Sequence, residues 1–131
     1  MSSEPQTAPT SKKMVYAGYV VSALPALMLI FSGVMKLVKP EGMAEAFTKL
    51  GWPDRLALPL GILELTCVVI YLIPRTAVLG AILSTGYLGG AIATHVRIGE
   101  PFIGPAVFGI LIWLGLYLRD ARLRALIPLR Q

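Results

Sequence analysis

The chain carries one cysteine and one histidine in 131 residues. A single thiol, Cys67, forms neither an internal disulfide nor a C-x-x-C redox pair, so redox chemistry has to come from a bound cofactor, a partner or nothing. One imidazole, one thiol and one mid-span acid make no ligand set of known spacing, and no metal is expected. Acidic residues are scarce, 7 against 12 Lys and Arg, for a formal charge of +5. The basic residues sit at the ends of apolar runs. That placement suits anionic headgroups and does not imply nucleic acid. Gly-rich phosphate loops, a nucleophile elbow and a Ser/His/Asp arrangement are all missing. What is abundant is hydrophobicity: 56% of residues, with a mean hydropathy of +0.72, which soluble globular chains rarely reach.

Residues 75–97 read RTAVLGAILSTGYLGGAIATHVR, with His95 the one side chain between the two arginines that can carry a positive charge. About 20 apolar residues rising ~1.5 Å each match the ~30 Å hydrocarbon core, which predicts a membrane-spanning helix. Small residues form two rows along it, Ala81, Thr85, Gly89, Ala93 and Gly86, Gly90, Thr94. Such rows let backbones approach closely in lipid, so this helix is expected to be the hub of packing.

Three more spans are expected. Residues 1–13 are polar and read as a disordered tail. Lys12 and Lys13 before an apolar run resemble a signal peptide, but the run is too long and lacks a prompt small-x-small site. The first span covers about 15–37, with Gly18, Ser22 and Ala26 on one face and Pro25 predicting a kink that frees the Val21 carbonyl. Between the first two spans, Met43, Ala46, Phe47 and Leu50 fall at i, i+3, i+4, i+7, an amphipathic helix expected on the membrane surface. Gly51 ends it and Trp52 reads as an interface anchor, as do Trp113 and Tyr117. The second span runs from about 53 to 73, and the very short turn at 73–76 makes it an antiparallel neighbour of the third. The fourth covers about 102–118. The expected fold is all-α, a four-transmembrane-helix bundle with a short interfacial helix between spans one and two. Its domain boundaries are a tail at 1–13, a membrane domain at 14–126 and a C-terminal tail at 127–131. Four spans put both termini on one side, which carries seven Lys and Arg against five on the other. The positive-inside rule places that side in the cytoplasm.

Glu64 is the first functional candidate, nine residues past Arg55 and so ~13 Å along the axis. An ionisable group at that depth marks a site unless it is paired, hydrated or protonated. The plain alternative is a glutamate that joins helices through Thr85 or Tyr87. Lys36, His95, Arg97 and Arg55 should form a cationic rim above the pocket that Glu64 faces. Such a rim suits an anionic headgroup or a polar carbonyl such as a quinone ring. The plain alternatives are that Lys36 and Arg97 snorkel to water and that His95 makes a structural hydrogen bond. The lipophilic-pocket reading draws on Glu64, Tyr87 and His95.

FSGVMKL, the linker ending LGWP, GILEL, LIPRTAVLGA and GYLGGAIATHVR follow one another at set spacings. Together they resemble the DoxX-like family of small bacterial membrane proteins, across about residues 15–126. The resemblance implies a four-helix bundle of the bacterial inner membrane, with Lys36, Glu64 and His95 as carried-over positions. It also implies an accessory subunit or scaffold of a quinone-linked membrane oxidoreductase, with a redox partner protein in the bilayer and no intrinsic cofactor beyond a possible quinone. A binder or transporter of a small lipophilic molecule is the second reading, and a self-contained membrane enzyme with Glu64 as acid/base is the third. A homo-oligomer is also expected, since the small-residue faces exceed what one small bundle uses.

Overall fold

The computed structural model describes residues 10–130, and every described regular element is helical. Helix α1 spans Lys12–Val38, α2 Met43–Leu50, α3 Ala57–Leu72, α4 Ala77–Arg97, α5 Ile103–Arg119 and α6 Ala121–Arg124. Single 3-10 turns, Asp54–Leu56 and Pro74–Thr76, lead into α3 and α4. With its leading turn, α3 reaches 19 residues and α4 reaches 24; together with the 27 of α1 these are long and apolar enough to cross a membrane. Helix α5 has 17 residues, ~25 Å at 1.5 Å each, a little under the hydrocarbon thickness.

Local chemistry sets the helix ends. The Ser11 hydroxyl accepts the Met14 amide and caps α1, which relieves one orphan donor of the first turn. Lys12 and Lys13 are therefore helical, and the expected tail of 1–13 ends earlier; residues 1–9 lie outside the described part of the chain. Gly51, at φ +83°, closes α2 with its amide on the Phe47 and Thr48 carbonyls. That left-handed conformation favours glycine because it has no Cβ. Pro25 lies inside α1, and the helix continues through it. The Ser22 hydroxyl does not serve the backbone there; it meets the Tyr71 hydroxyl instead, at 2.9 Å.

The four apolar helices form a ring: α1 packs on α3 and α5, and α4 packs on the same two. The seams close where small residues permit. A Cβ on Gly18 would meet the Gly115 carbonyl at 2.7 Å, and one on Gly61 would meet the Gly33 carbonyl at 2.9 Å. One on Gly80 would overlap the Tyr71 backbone. Gly18, Ser22 and Ala26 are all buried, the face expected of them. The rows on α4 divide differently. Ala81 is fully buried, but Thr85, Gly86, Gly89, Gly90 and Ala93 are exposed. A Cβ at Gly86, Gly89 or Gly90 would meet nothing within 4 Å. These three glycines are not packing positions within the chain. Near the turn that α3 and α4 share, they meet backbone to backbone at Gly80 and Tyr71, whereas farther along Tyr87 reaches Glu64 through its side chain.

The outer surface is apolar. Val20, Ile110 and Leu27 are each more than 60% exposed, on helices whose inward faces carry the polar side chains. That inversion suits hydrocarbon as the surrounding solvent.

Candidate functional site

A cavity of about 570 Å³ lies in the half of the ring that holds the α1 C-terminus and the α3 N-terminus. Five helices contribute to its wall. Helix α1 supplies Ser32 and Lys36, α3 supplies Glu64, and α4 supplies Tyr87, Thr94 and His95, while Phe108 of α5 and Phe47 of α2 add apolar faces. The helical spacing of Ser32 and Lys36, one turn apart, puts both on the inward stripe of α1.

Glu64 is 1% exposed. Its Oε1 accepts from Lys36 Nζ at 2.8 Å and from the Tyr87 hydroxyl at 2.5 Å. Lys36 Nζ also donates to Ser32 Oγ at 2.7 Å. The carboxylate thus ties α1, α3 and α4 together. A buried carboxylate is costly without such partners. The arrangement is one-sided, because Oε2 is buried and has no hydrogen-bond partner. Buried acceptors are nearly always matched, so one left alone calls for an explanation. An ammonium has three N–H donors, and Lys36 places two. His95 Nδ1 lies 2.7 Å from the Ala91 carbonyl. A carbonyl only accepts, so Nδ1 carries a proton. The cavity wall therefore includes Lys36, with one N–H unplaced, beside Glu64, whose unpartnered Oε2 is buried.

The linker closes the cavity mouth. Phe47 is buried, and Leu50 and Trp52 line the cavity beside it. Arg97 fixes this cover: its guanidinium donates to the Leu50 carbonyl and lies 5.5 Å from the Trp52 ring centroid. Trp52 Nε1 reaches Thr94 Oγ1 at 3.4 Å, and Lys49 pairs with Glu100 at 3.0 Å.

A family model described as the DoxX-like family matches residues 20–115, well over half the chain. The chain belongs to the DoxX-like family. No curated protein and no solved structure matches it. Family and apolar helices together make this DoxX-like chain a small multi-pass integral membrane protein in contact with the lipid bilayer.

The structure brings Glu64, Lys36, Tyr87 and His95 of this family member to one cavity, and it does not bring Arg97 there. Of the cationic rim expected from Lys36, Arg55, His95 and Arg97, Arg97 is bound to the linker and Lys36 to Glu64. Lys36 does not snorkel: its side chain is 17% exposed and turned inward to Glu64. Of the two partners weighed for Glu64, Tyr87 makes the bond. Thr85 instead donates to the Ala81 carbonyl and accepts from Trp113 Nε1 at 2.6 Å. Ser32, Phe47, Trp52 and Thr94 were not foreseen as wall residues. Ser32 was open to discovery through its spacing from Lys36; the other three depend on how the linker folds back. Among the described residues, no three His, Cys, Asp or Glu side chains gather to share a metal ion.

The opposite half of the ring holds a second polar node. The Tyr71 hydroxyl donates to the Ile112 carbonyl at 2.8 Å and meets Ser22 Oγ at 2.9 Å. A phenol has one proton, so the Ser22 hydroxyl donates to Tyr71 in return. Arg119 lies over the Tyr71 and Tyr19 rings, at 5.4 and 4.9 Å. A second cavity, of about 640 Å³, is lined by Leu88, Trp113, Tyr117 and Leu123.

Proposed function

We propose that this DoxX-like protein binds a small lipophilic molecule with a polar carbonyl or hydroxyl head, of the quinone and quinol class, in the Glu64 cavity. The buried, unpartnered Oε2 of Glu64, a residue that lines the cavity, carries the reading. The spare Lys36 proton suits a ligand carbonyl. Glu64 Oε2 suits a ligand hydroxyl. A mostly apolar wall with a few convergent polar groups is how membrane-soluble ligands are held. With one cysteine and no redox group of its own, the chain acts as an accessory, quinone-holding subunit of a membrane oxidoreductase system rather than as an autonomous enzyme. In this reading all four apolar helices cross the bacterial inner membrane with both termini in the cytoplasm. Helix α2 lies at the opposite interface, where its one buried side chain, Phe47, plugs the cavity from above.

Native mass spectrometry of the protein released from its own membranes in mild detergent tests this. The expected spectrum shows a small lipophilic adduct that is lost in Glu64→Gln and retained in Tyr71→Phe. A bare protein, or an adduct indifferent to Glu64→Gln, rejects the binding reading. A second polypeptide in the same spectrum identifies the oxidoreductase partner.

A further inference from the structure

The linker residues Phe47, Leu50 and Trp52 line the cavity beside the polar cluster, and a route that avoids them runs between helices. Of the cavity-lining residues that are exposed, Trp52 belongs to the linker and Met28 carries a full side chain on α1. The other three, Leu63, Gly86 and Gly90, border one gap between α3 and α4. Register places them there. On α4 the two glycines flank Tyr87 on the side away from Leu88, which packs toward Gly109 of α5. On α3, Leu63 flanks Glu64 on the side away from Leu65, which packs against Gly33 of α1. Residues that are at once outer surface and cavity wall mark a place where the wall is open. A Cβ at either glycine would meet nothing within 4 Å, so the gap is unfilled from the α4 side.

Resting on the ligand-binding reading above, we infer that the α3–α4 gap is a lateral entrance from the bilayer hydrocarbon to the Glu64 site, kept open by Gly86 and Gly90. The ligand arrives already dissolved in the membrane and slides between the glycine pair and Leu63. Its polar head then meets Tyr87, Glu64 and Lys36 without crossing water. The glycine rows on α4 are thereby a device for access and not for helix packing.

Side chains added at the glycines should block passage without disturbing the fold. The test uses Trp113→Phe protein in liposomes, where Trp52 is the only tryptophan and lines the cavity. Decylubiquinone, pre-dissolved in the bilayer, is the probe, and quenching of Trp52 emission reports its arrival. In Gly86→Leu/Gly90→Leu the association and dissociation rates should both fall about tenfold, with Kd changed less than about threefold. Leu63→Ala should speed both rates. Unchanged rates in the double variant, or a loss of affinity with the association rate intact, would overturn the entrance while leaving the binding reading standing. Absence of quenching in the parent protein would overturn both. A parent dimer that the double variant turns to monomer, with ligand rates unchanged, would make the glycines an intermolecular seam instead.

Discussion

The two ends of the helix ring use the same materials to opposite effect. At the end holding Tyr71, glycines at 18, 80 and 115 bring backbones into contact, and one tyrosine hydroxyl is shared between Ser22 and a carbonyl with nothing left over. At the end holding Tyr87, glycines at 86 and 90 face open space, and the tyrosine hydroxyl serves a glutamate that still has an idle oxygen. The first end has backbones in contact and its tyrosine hydroxyl fully used, with Arg119 Nε the buried group left without a partner there; the second leaves Glu64 Oε2 without one beside a cavity. A small residue therefore has no fixed meaning in a membrane helix. Its role depends on whether a neighbouring helix packs on it or leaves it open.

The contrast can be broken by substitution. Gly80→Leu should have the largest effect: added bulk against the Tyr71 backbone should destabilise by about 3 kcal/mol or more, seen as lost folded yield and a lower Tm in detergent. Gly86→Leu, two turns along the same helix, should stay within about 0.5 kcal/mol of the parent. Equal damage from both would erase the distinction between the two ends.

Lys36→Met comes next. It strands a buried carboxylate and should destabilise by about 3–5 kcal/mol, whereas Lys36→Met/Glu64→Leu should recover much of that loss, because an apolar pair replaces a buried ion pair at little cost. Thermal unfolding of the four-member cycle checks this.

Tyr71→Phe should lower stability by about 1–3 kcal/mol by removing the partner of the buried Ser22 hydroxyl and the extra bond to the Ile112 carbonyl, and leave ligand binding unchanged. Tyr87→Phe should do less to stability, since Lys36 still serves Glu64, and more to binding. The smallest effect is expected for Arg97→Ala. Its Tm should barely move, within about 0.5 kcal/mol, but amide exchange should quicken through residues 47–52 as the linker loosens over the cavity.

Much of this architecture is legible in the residues. The i, i+3, i+4, i+7 pattern and Gly51 bound α2 at the residues observed, and the third span ends at Arg97 as its charge predicts. Glu64, Tyr87 and His95 read as one pocket because helical spacing and the antiparallel turn suffice to bring them together. Three features do not follow from spacing. Lys36 reaches inward along its own flexible chain rather than outward to water, and only the location of Glu64 decides between those rotamers. Arg97 turns to a carbonyl of the linker, whose path is a tertiary property. The glycine rows look identical whether a helix lies on them or not, so periodicity alone assigns Gly86, Gly89 and Gly90 to packing when the structure leaves them open.

The central claim is that the idle oxygen of Glu64 belongs to a ligand site. Equilibrium binding of decylubiquinone in nanodiscs, read from Trp52 in Trp113→Phe protein, tests it most directly. The account predicts saturable binding that weakens about tenfold or more in Glu64→Gln, a loss of ~1.4 kcal/mol or more, and that is unchanged in Tyr71→Phe. Binding that is absent in the parent, or that Glu64→Gln and Tyr71→Phe leave equally intact, would contradict it.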